Sequence, residues 1–179
     1  MNQALARRPA SPASPISDSL HAESTQRLEI LTFRLGSEDY GVPLQSVQEI
    51  RTYEAPTKLA GASACVLGVL DLRGEVVPIV DLRQRFALPS AEFDVFTVTI
   101  IINLRERNVG IVVDAVHDVV SLSPAQIHAM PGLGNPDDQR HLAAIASFEQ
   151  RSIIMLNIEA LLGGGALGLQ STATDTSIN

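Results

Sequence analysis

Two stretches of the chain read nearly as one: Tyr40–Ile50 is YGVPLQSVQEI and Val109–Val119 is VGIVVDAVHDV. Laid together without a gap, at an offset of 69 (40 to 109), Gly41 meets Gly110 and Val47 meets Val116. Val42 meets Ile111, Leu44 meets Val113, Glu49 meets Asp118 and Ile50 meets Val119. At the same offset upstream, Phe33 meets Ile102 and Leu35 meets Leu104. Further on the offset becomes 76, where Ile79-Val80-Asp81-Leu82 meets Met155-Leu156-Asn157-Ile158. The difference, 76 − 69, places seven extra residues in the second copy, most simply around 123–140. Pro124, Pro131, Gly132, Gly134 and Pro136 mark that stretch as a loop. Two β-rich segments share Val and Ile by composition alone, but not coincident glycines and acids in the same order of elements. The repeat predicts two similar five-stranded subdomains, each too small to be comfortable alone, packed on each other. The matched glycines predict a bulge or a close backbone approach.

Outward from the repeat, residues 28–162 hold 15 Val and 12 Ile, a strong bias toward strand formers. Strands are expected near 28–35, 39–44, 47–53, 66–72 and 75–81. A second set is expected near 95–104, 107–113, 115–121, 141–148 and 151–157. Short helical turns follow each set, at Leu82–Phe86 and Ile158–Leu162. Many short strands separated by turn signals give an all-β class, barrel or sandwich. The expected subdomains are about 28–92 and 93–162, with exchange of strands between them possible.

The full chain has 179 residues, 45% hydrophobic and 18% charged, with a net charge of −7. The segment 28–162 carries 10 Lys and Arg against 17 Asp and Glu, so the acidity resides in the folded part. That balance argues against a general nucleic-acid binder, which needs a basic face. No apolar run approaches the roughly 20 residues of a membrane span. The single Cys65 excludes an internal disulfide framework and a cysteine-based zinc site. Residues 1–27, with Pro9, Pro12 and Pro15 among Ala and Ser, read as a disordered extension. No apolar core follows Arg7–Arg8, so neither a twin-arginine nor a secretory leader is expected, and the location is cytoplasmic. Gly163, Gly164 and Gly165 stop the last helix, and 163–179 reads as a flexible tail.

The segment Gly68–Arg83, GVLDLRGEVVPIVDLR, reads as strand, tight turn at Arg73–Gly74, and strand. Gly74 supplies the backbone freedom of the turn, and Arg73 is held where its guanidinium reaches outward. Pro78 lacks an amide donor, which predicts an edge or a bulge there. This segment resembles the CheW family, the coupling proteins of bacterial chemotaxis. FRLGSEDYGVPLQSVQEIR (33–51), NVGIVVDAVHDVVSLSPAQI (108–127) and IIMLNIEALL (153–162) extend the resemblance, in the family's order, over essentially all of 28–162. The chain departs from the family in AGASACV (60–66), which lacks the usual proline, and in HLAAIASF (141–148), which lacks a common glycine. The resemblance implies two SH3-like, five-stranded barrels and a non-catalytic adaptor. Its implied partners are the cytoplasmic tip of chemoreceptors and the regulatory domain of the histidine kinase CheA, itself of this fold. No kinase ATP motif or appended receiver domain fits in this chain.

The resemblance also assigns residues. Arg73 falls in the receptor-binding groove between the barrels, with Val47 and Glu49 on a strand lining it. Strict alternation puts those two on one face and Gln48 on the other. Val98, Gly110 and Val119 correspond to groove or inter-barrel positions, where packing is the alternative role. Gly68 matches a position linked to kinase coupling, which a backbone requirement explains as well. Asp71, Asp81, Asp114 and Asp118 form no recognisable acid–base or metal spacing, and His117, His128 and His141 lack the pairing of a zinc site. GGGALG at 163–168 has no following Lys and hydroxyl residue, so it is no phosphate loop. No catalytic residue, cofactor or metal is therefore expected. Two alternatives stay open: a chemotaxis-like pathway with another output, and an enzyme using acidic residues at the barrel junction.

Overall fold

The computed structural model describes residues 27–89, 92–132 and 140–162. The expectations for the N-terminal extension up to residue 26 and for the tail from 163 lie outside them. The described chain runs β1 (Leu28–Leu35), β2 (Glu38–Pro43), β3 (Val47–Thr52), β4 (Val66–Leu72), β5 (Glu75–Asp81) and α1 (Leu82–Arg85). Then come β6 (Val98–Leu104), β7 (Arg107–Val113), β8 (Ala115–Leu122), β9 (Ile127–Ala129), β10 (Leu142–Phe148), β11 (Arg151–Leu156) and α2 (Ile158–Leu162). Short 3-10 turns at Leu44–Ser46 and Pro124–Gln126 precede β3 and β9. The repeat predicted from sequence holds element by element: β1, β2 and β3 recur as β6, β7 and β8 at offset 69. In the same way β4, β5 and α1 recur as β10, β11 and α2 at offset 76.

Two differences from the expected strands have local causes. Residues 95–97 are a turn and not the start of β6, because the Asp94 carboxylate accepts the amides of Phe96 (2.8 Å) and Thr97 (3.0 Å). Within the expected loop 123–140, β9 pairs with β10, with His128 opposite Ile145. Its counterpart in the first half is the isolated bridge of Thr57 with Val69. Two of the seven extra residues therefore precede that pairing and five follow it (128 − 57 = 71, between 69 and 76).

The strands form two sheets that do not follow the halves of the chain. One sheet runs β8-β1-β2-β11-β10-β9 and the other β3-β6-β7-β5-β4. Each contains a hairpin of the opposite half: β1–β2 inserts beside β11, and β6–β7 beside β5. The joints are short parallel ladders. Ile79, Val80 and Asp81 face Gly110, Ile111 and Val112 in one; Asp39, Tyr40 and Gly41 face Ile153, Ile154 and Met155 in the other. β5 is thus an interior strand and not an edge, while the bulge also expected near Pro78 lies on its partner β4, between Val66 and Gly68 opposite Val80 and Ile79. Val69 spends its amide and carbonyl on Thr57, both at 2.9 Å, so it asks no donor of its neighbour Pro78. On the other side the ladder to β7 starts only at Ile79.

Three apolar clusters result. Ile30, Val120, Leu122, Ala146 and Ile153 fill the inner face of the first sheet. Val77, Ile79, Ile101 and Val112 fill that of the second. The largest cluster lies between the sheets, where Leu31, Phe33, Leu35 and Val42 meet Ile100, Ile102, Ile111 and Val113 with Leu82 and Leu161 from the two helices. The matched glycines explain themselves here. A Cβ on Gly110 would meet Ile79 Cδ1 at 2.5 Å, and one on Gly41 would meet Ile30 Cδ1 at 2.9 Å. Close approach by neighbouring isoleucine side chains, not the expected bulge or backbone approach, fixes both.

Polar caps repeat as well. The Asp81 carboxylate accepts the Arg83 amide at 2.8 Å to start α1, and Asn157 Oδ1 accepts the Ala160 amide at 3.1 Å to start α2. The almost fully buried Arg83 and Asp114 form an ion pair. Asp114 also accepts the Gly36 amide at 2.8 Å, tying α1 to the β1–β2 hairpin. Because each sheet needs two strands of the other half, residues 28–92 alone lack the β6–β7 centre of their sheet. That fragment is expected to show no cooperative thermal transition in circular dichroism. Mixing it with 93–162 should restore one.

Candidate docking site around the Arg73 hairpin

The β4–β5 connection is two residues long, with φ of 55° at Arg73 and 86° at Gly74. Two consecutive positive φ values define the type I′ turn, whose twist matches paired strands. Asp71 Oδ1 accepts the Gly74 amide at 2.7 Å and fixes the turn. The Arg73 side chain is 80% exposed, yet it is not free: Nη2 donates to Glu49 Oε2 at 2.9 Å. Glu49 stands on β3 and Arg73 follows β4, the two edges of the five-stranded sheet. The sheet therefore curls until its edges are joined by side chains. Arg51 lies 3.4 Å from Glu49 and 3.5 Å from Glu54. A second polar ladder continues across the inner face of the same sheet. Asn103 donates to Asn108 at 3.0 Å, and Asn108 donates to Glu75 at 2.7 Å. The end of the sheet interior is thus rimmed by side chains of β3, β5, β6 and β7 together with the turn arginine.

Strict alternation along β3 does not hold. Val47 faces Ile102 but Glu49 faces Ile101, so β3 carries a bulge at Gln48. Val47 accordingly packs on the cluster between the sheets, while Glu49 turns to the inner face that holds Ile101. The two residues expected on one face lie on opposite ones. The bulge itself repeats in β8, between Val116 and Val119.

The remaining assigned residues do not gather at Arg73. Gly110 is interior, closed in by Ile79, Thr99 and Ile101. Val98 is half-buried against the inter-sheet cluster. Val119 belongs to β8, the edge of the other sheet, and is 50% exposed. Its repeat partner Ile50, on edge strand β3, is 45% exposed. Ile50 was missed as a surface candidate, although the alignment of the two halves already sets it against Val119. Gly68 has φ +149°, and a Cβ there would lie 2.1 Å from the Thr57 carbonyl oxygen. The strap at Thr57 requires glycine at that point.

Among the described residues no three His, Cys, Asp or Glu side chains converge as a metal group would require. Burial, then Glu38, raises the Tyr40 hydroxyl pKa; burial, then Asp81, raises that of Tyr53. The amide of Phe96 leads the causes that lower Asp94. Surface depressions of about 570 and 430 Å³ both touch Gln45, and Arg73 lines neither. Among the described residues no helix is long and apolar enough to cross a membrane.

Residues 29–165 match the CheW-like domain. The chain belongs to the CheW family. It is 40% identical over 148 residues to the chemotaxis protein CheW of Klebsiella aerogenes, covering 83% of this chain and 89% of that protein. It is 30% identical over 145 residues to protein FrzA of Myxococcus xanthus, covering 80% and 90%. The crystal structure of the scaffolding protein TtCheW from Thermoanaerobacter tengcongensis superposes with a TM-score of 0.72 at 26% identity, covering 77% of this chain and 94% of that one. As a CheW-family member the chain is a non-catalytic scaffold of chemotaxis signalling, coupled to components of that pathway.

The glycines of this region give a graded test. Gly110→Ala overpacks flexible side chains and is expected to cost about 1–3 kcal/mol. Gly68→Ala meets a backbone carbonyl in an unfavourable φ, so its loss should be the larger. Urea denaturation of the two variants checks the order.

Proposed function

We propose that this chain couples the cytoplasmic tip of chemoreceptors to the regulatory domain of the kinase CheA, and that the Arg73–Glu49 rim belongs to its receptor contact. The observation that carries the reading is the arginine itself. A rigid two-residue turn presents it, an acid on the opposite sheet edge orients it, and most of its surface remains open. A held but exposed guanidinium loses little side-chain entropy on binding and offers several donors to a polar helical tip. The exposed Ile50 and Val119, each on a sheet edge, supply apolar area of the kind a helix packs on. Val47, Val98 and Gly110 serve this surface from below, by holding the sheets together. Gly68 serves the kinase contact through the shape of the Thr57 strap. Such a coupler works in the cytoplasm and reaches the membrane through its receptors. The resemblance to FrzA favours a second reading, a chemotaxis-like pathway with a different output.

Arg73→Ala is the deciding variant. Its ion pair is exposed, so stability should fall by no more than about 0.5–1 kcal/mol. Affinity for a soluble receptor-tip fragment should fall by about 1–3 kcal/mol, while affinity for the kinase regulatory domain stays unchanged. Calorimetric titration against each partner separately reads both effects. An unchanged receptor affinity, or equal losses for both partners, would overturn the assignment.

A further inference from the structure

One buried histidine takes no part in the docking surface. His141, just before β10, is 5% exposed, and its Nε2 lies 2.8 Å from Nη2 of Arg85 at the end of α1. A guanidinium keeps its protons at every pH a protein meets and can only donate. The contact is therefore a hydrogen bond in which the imidazole Nε2 accepts. That requires a neutral ring with its proton on Nδ1. Arg85 Nε is buried and has no hydrogen-bond partner among the described residues, so the bond to His141 is what seats the guanidinium.

The bond joins the two halves of the chain where they seal the cluster between the sheets. Next to Arg85, Phe86 stacks on Tyr40 of β2 with ring centroids 5.7 Å apart. Phe86, Leu88 and Leu142, the neighbour of His141, all pack on that cluster. The His141 carbonyl accepts the Asn157 amide at 2.8 Å, so the same residue also seats the cap of α2. The titratable groups of the surrounding elements have other partners or the same sign. Asp114 accepts from Arg83 and Gly36, and Asp81 accepts from the amides of Arg83 and Gln84. Glu159 of α2 pairs with Arg105. The Tyr40 hydroxyl, raised by burial and then by Glu38, stays protonated in neutral and acid solution. Arg140, exposed beside His141 in the chain, is a further cation. A proton added to His141 thus meets the charge of Arg85 at hydrogen-bond distance.

We propose that the Arg85–His141 bond is an acid-sensitive latch: protonation of His141 breaks it and releases the Arg85–Leu88 segment from the cluster between the sheets. An imidazolium has no lone pair with which to accept. Two cations held this close away from water also repel strongly. Once released into water, an imidazole takes up its proton below about pH 6.5. The open form therefore binds one proton more than the latched form. The latch is at full strength above about pH 7, and its closing equilibrium falls about tenfold for each pH unit below that range. What opens is the seam through which each half covers the other, with Phe86, Leu88 and Leu142 beside it.

Nuclear magnetic resonance on the full chain tests this. At about pH 7.5 the ring nitrogen shifts of His141 should place its proton on Nδ1. The reporters of the latch are the amides of Phe86 and Leu88, bonded to the carbonyls of Leu82 and Arg83 at 3.0 and 2.8 Å. Their protection from hydrogen exchange should fall about tenfold between about pH 6.5 and 5.5. At each pH it should lie below that of the β6–β7 ladder, since the seam opens without global unfolding. His141→Gln offers Arg85 an amide oxygen and takes up no proton. It should keep the protection seen at about pH 7.5 and lose the fall in acid. If that variant does not fold, the measurements on the unaltered protein still decide. A proton on Nε2 at neutral pH would overturn the proposal. So would unchanged protection at about pH 5.5, protection equal to that of the β6–β7 ladder throughout, or an acid loss that persists in His141→Gln.

Discussion

Everything in this molecule leans on two parallel ladders of three residue pairs each. Through them β5 accepts the β6–β7 hairpin and β11 accepts the β1–β2 hairpin. A three-pair ladder is a slight connection, yet it decides which half of the chain completes which sheet. Neither sheet has a centre without its hairpin on loan, and the large cluster between the sheets forms only when both loans are made. The buried Arg83–Asp114 pair fastens the exchange, because Asp114 simultaneously holds the Gly36 turn of the lent hairpin. Removing one charge of such a buried pair leaves the other unpaired, which is far costlier than losing a surface ion pair.

This interlocking accounts for rigidity at the Arg73 rim. The arginine sits on a turn, normally the most variable part of a sheet protein. Here the turn is closed by Asp71, its side chain is held by Glu49, and the sheet below it is filled from both halves of the chain. A scaffold that performs no chemistry depends on such fixed geometry, because the only thing it conveys is the relative placement of what binds it.

Much of this was legible in the sequence. The repeat, nearly every strand, both short helices and the Arg73–Gly74 turn follow from periodicity, matched residues and turn residues, because each depends on neighbours close in the chain. What stayed hidden depends on contacts distant in sequence or on a break in period. Nothing in Tyr40 or Gly41 says that the partner strand is β11. The bulge at Gln48 leaves no mark in an alternating pattern, yet it sends Val47 and Glu49 to opposite faces. Pro78 pointed to an edge because the bridge between Thr57 and Val69, which spares the missing donor, is invisible from the strand itself.

The duplication also gives the body a direction. The repeat partner of the Arg73–Gly74 turn is Glu149–Gln150, again with both φ values positive, and the partner of Glu49 is Asp118. Two ends built on one backbone plan therefore differ in charge. A ligand that could settle on either end by shape alone meets a cation with its acid at one and two acids at the other. Mounting the scaffold back to front trades an attraction for a repulsion, and such unfavourable pairings are how near-symmetric parts are told apart. That sign difference marks one end of the body from the other for anything that binds it.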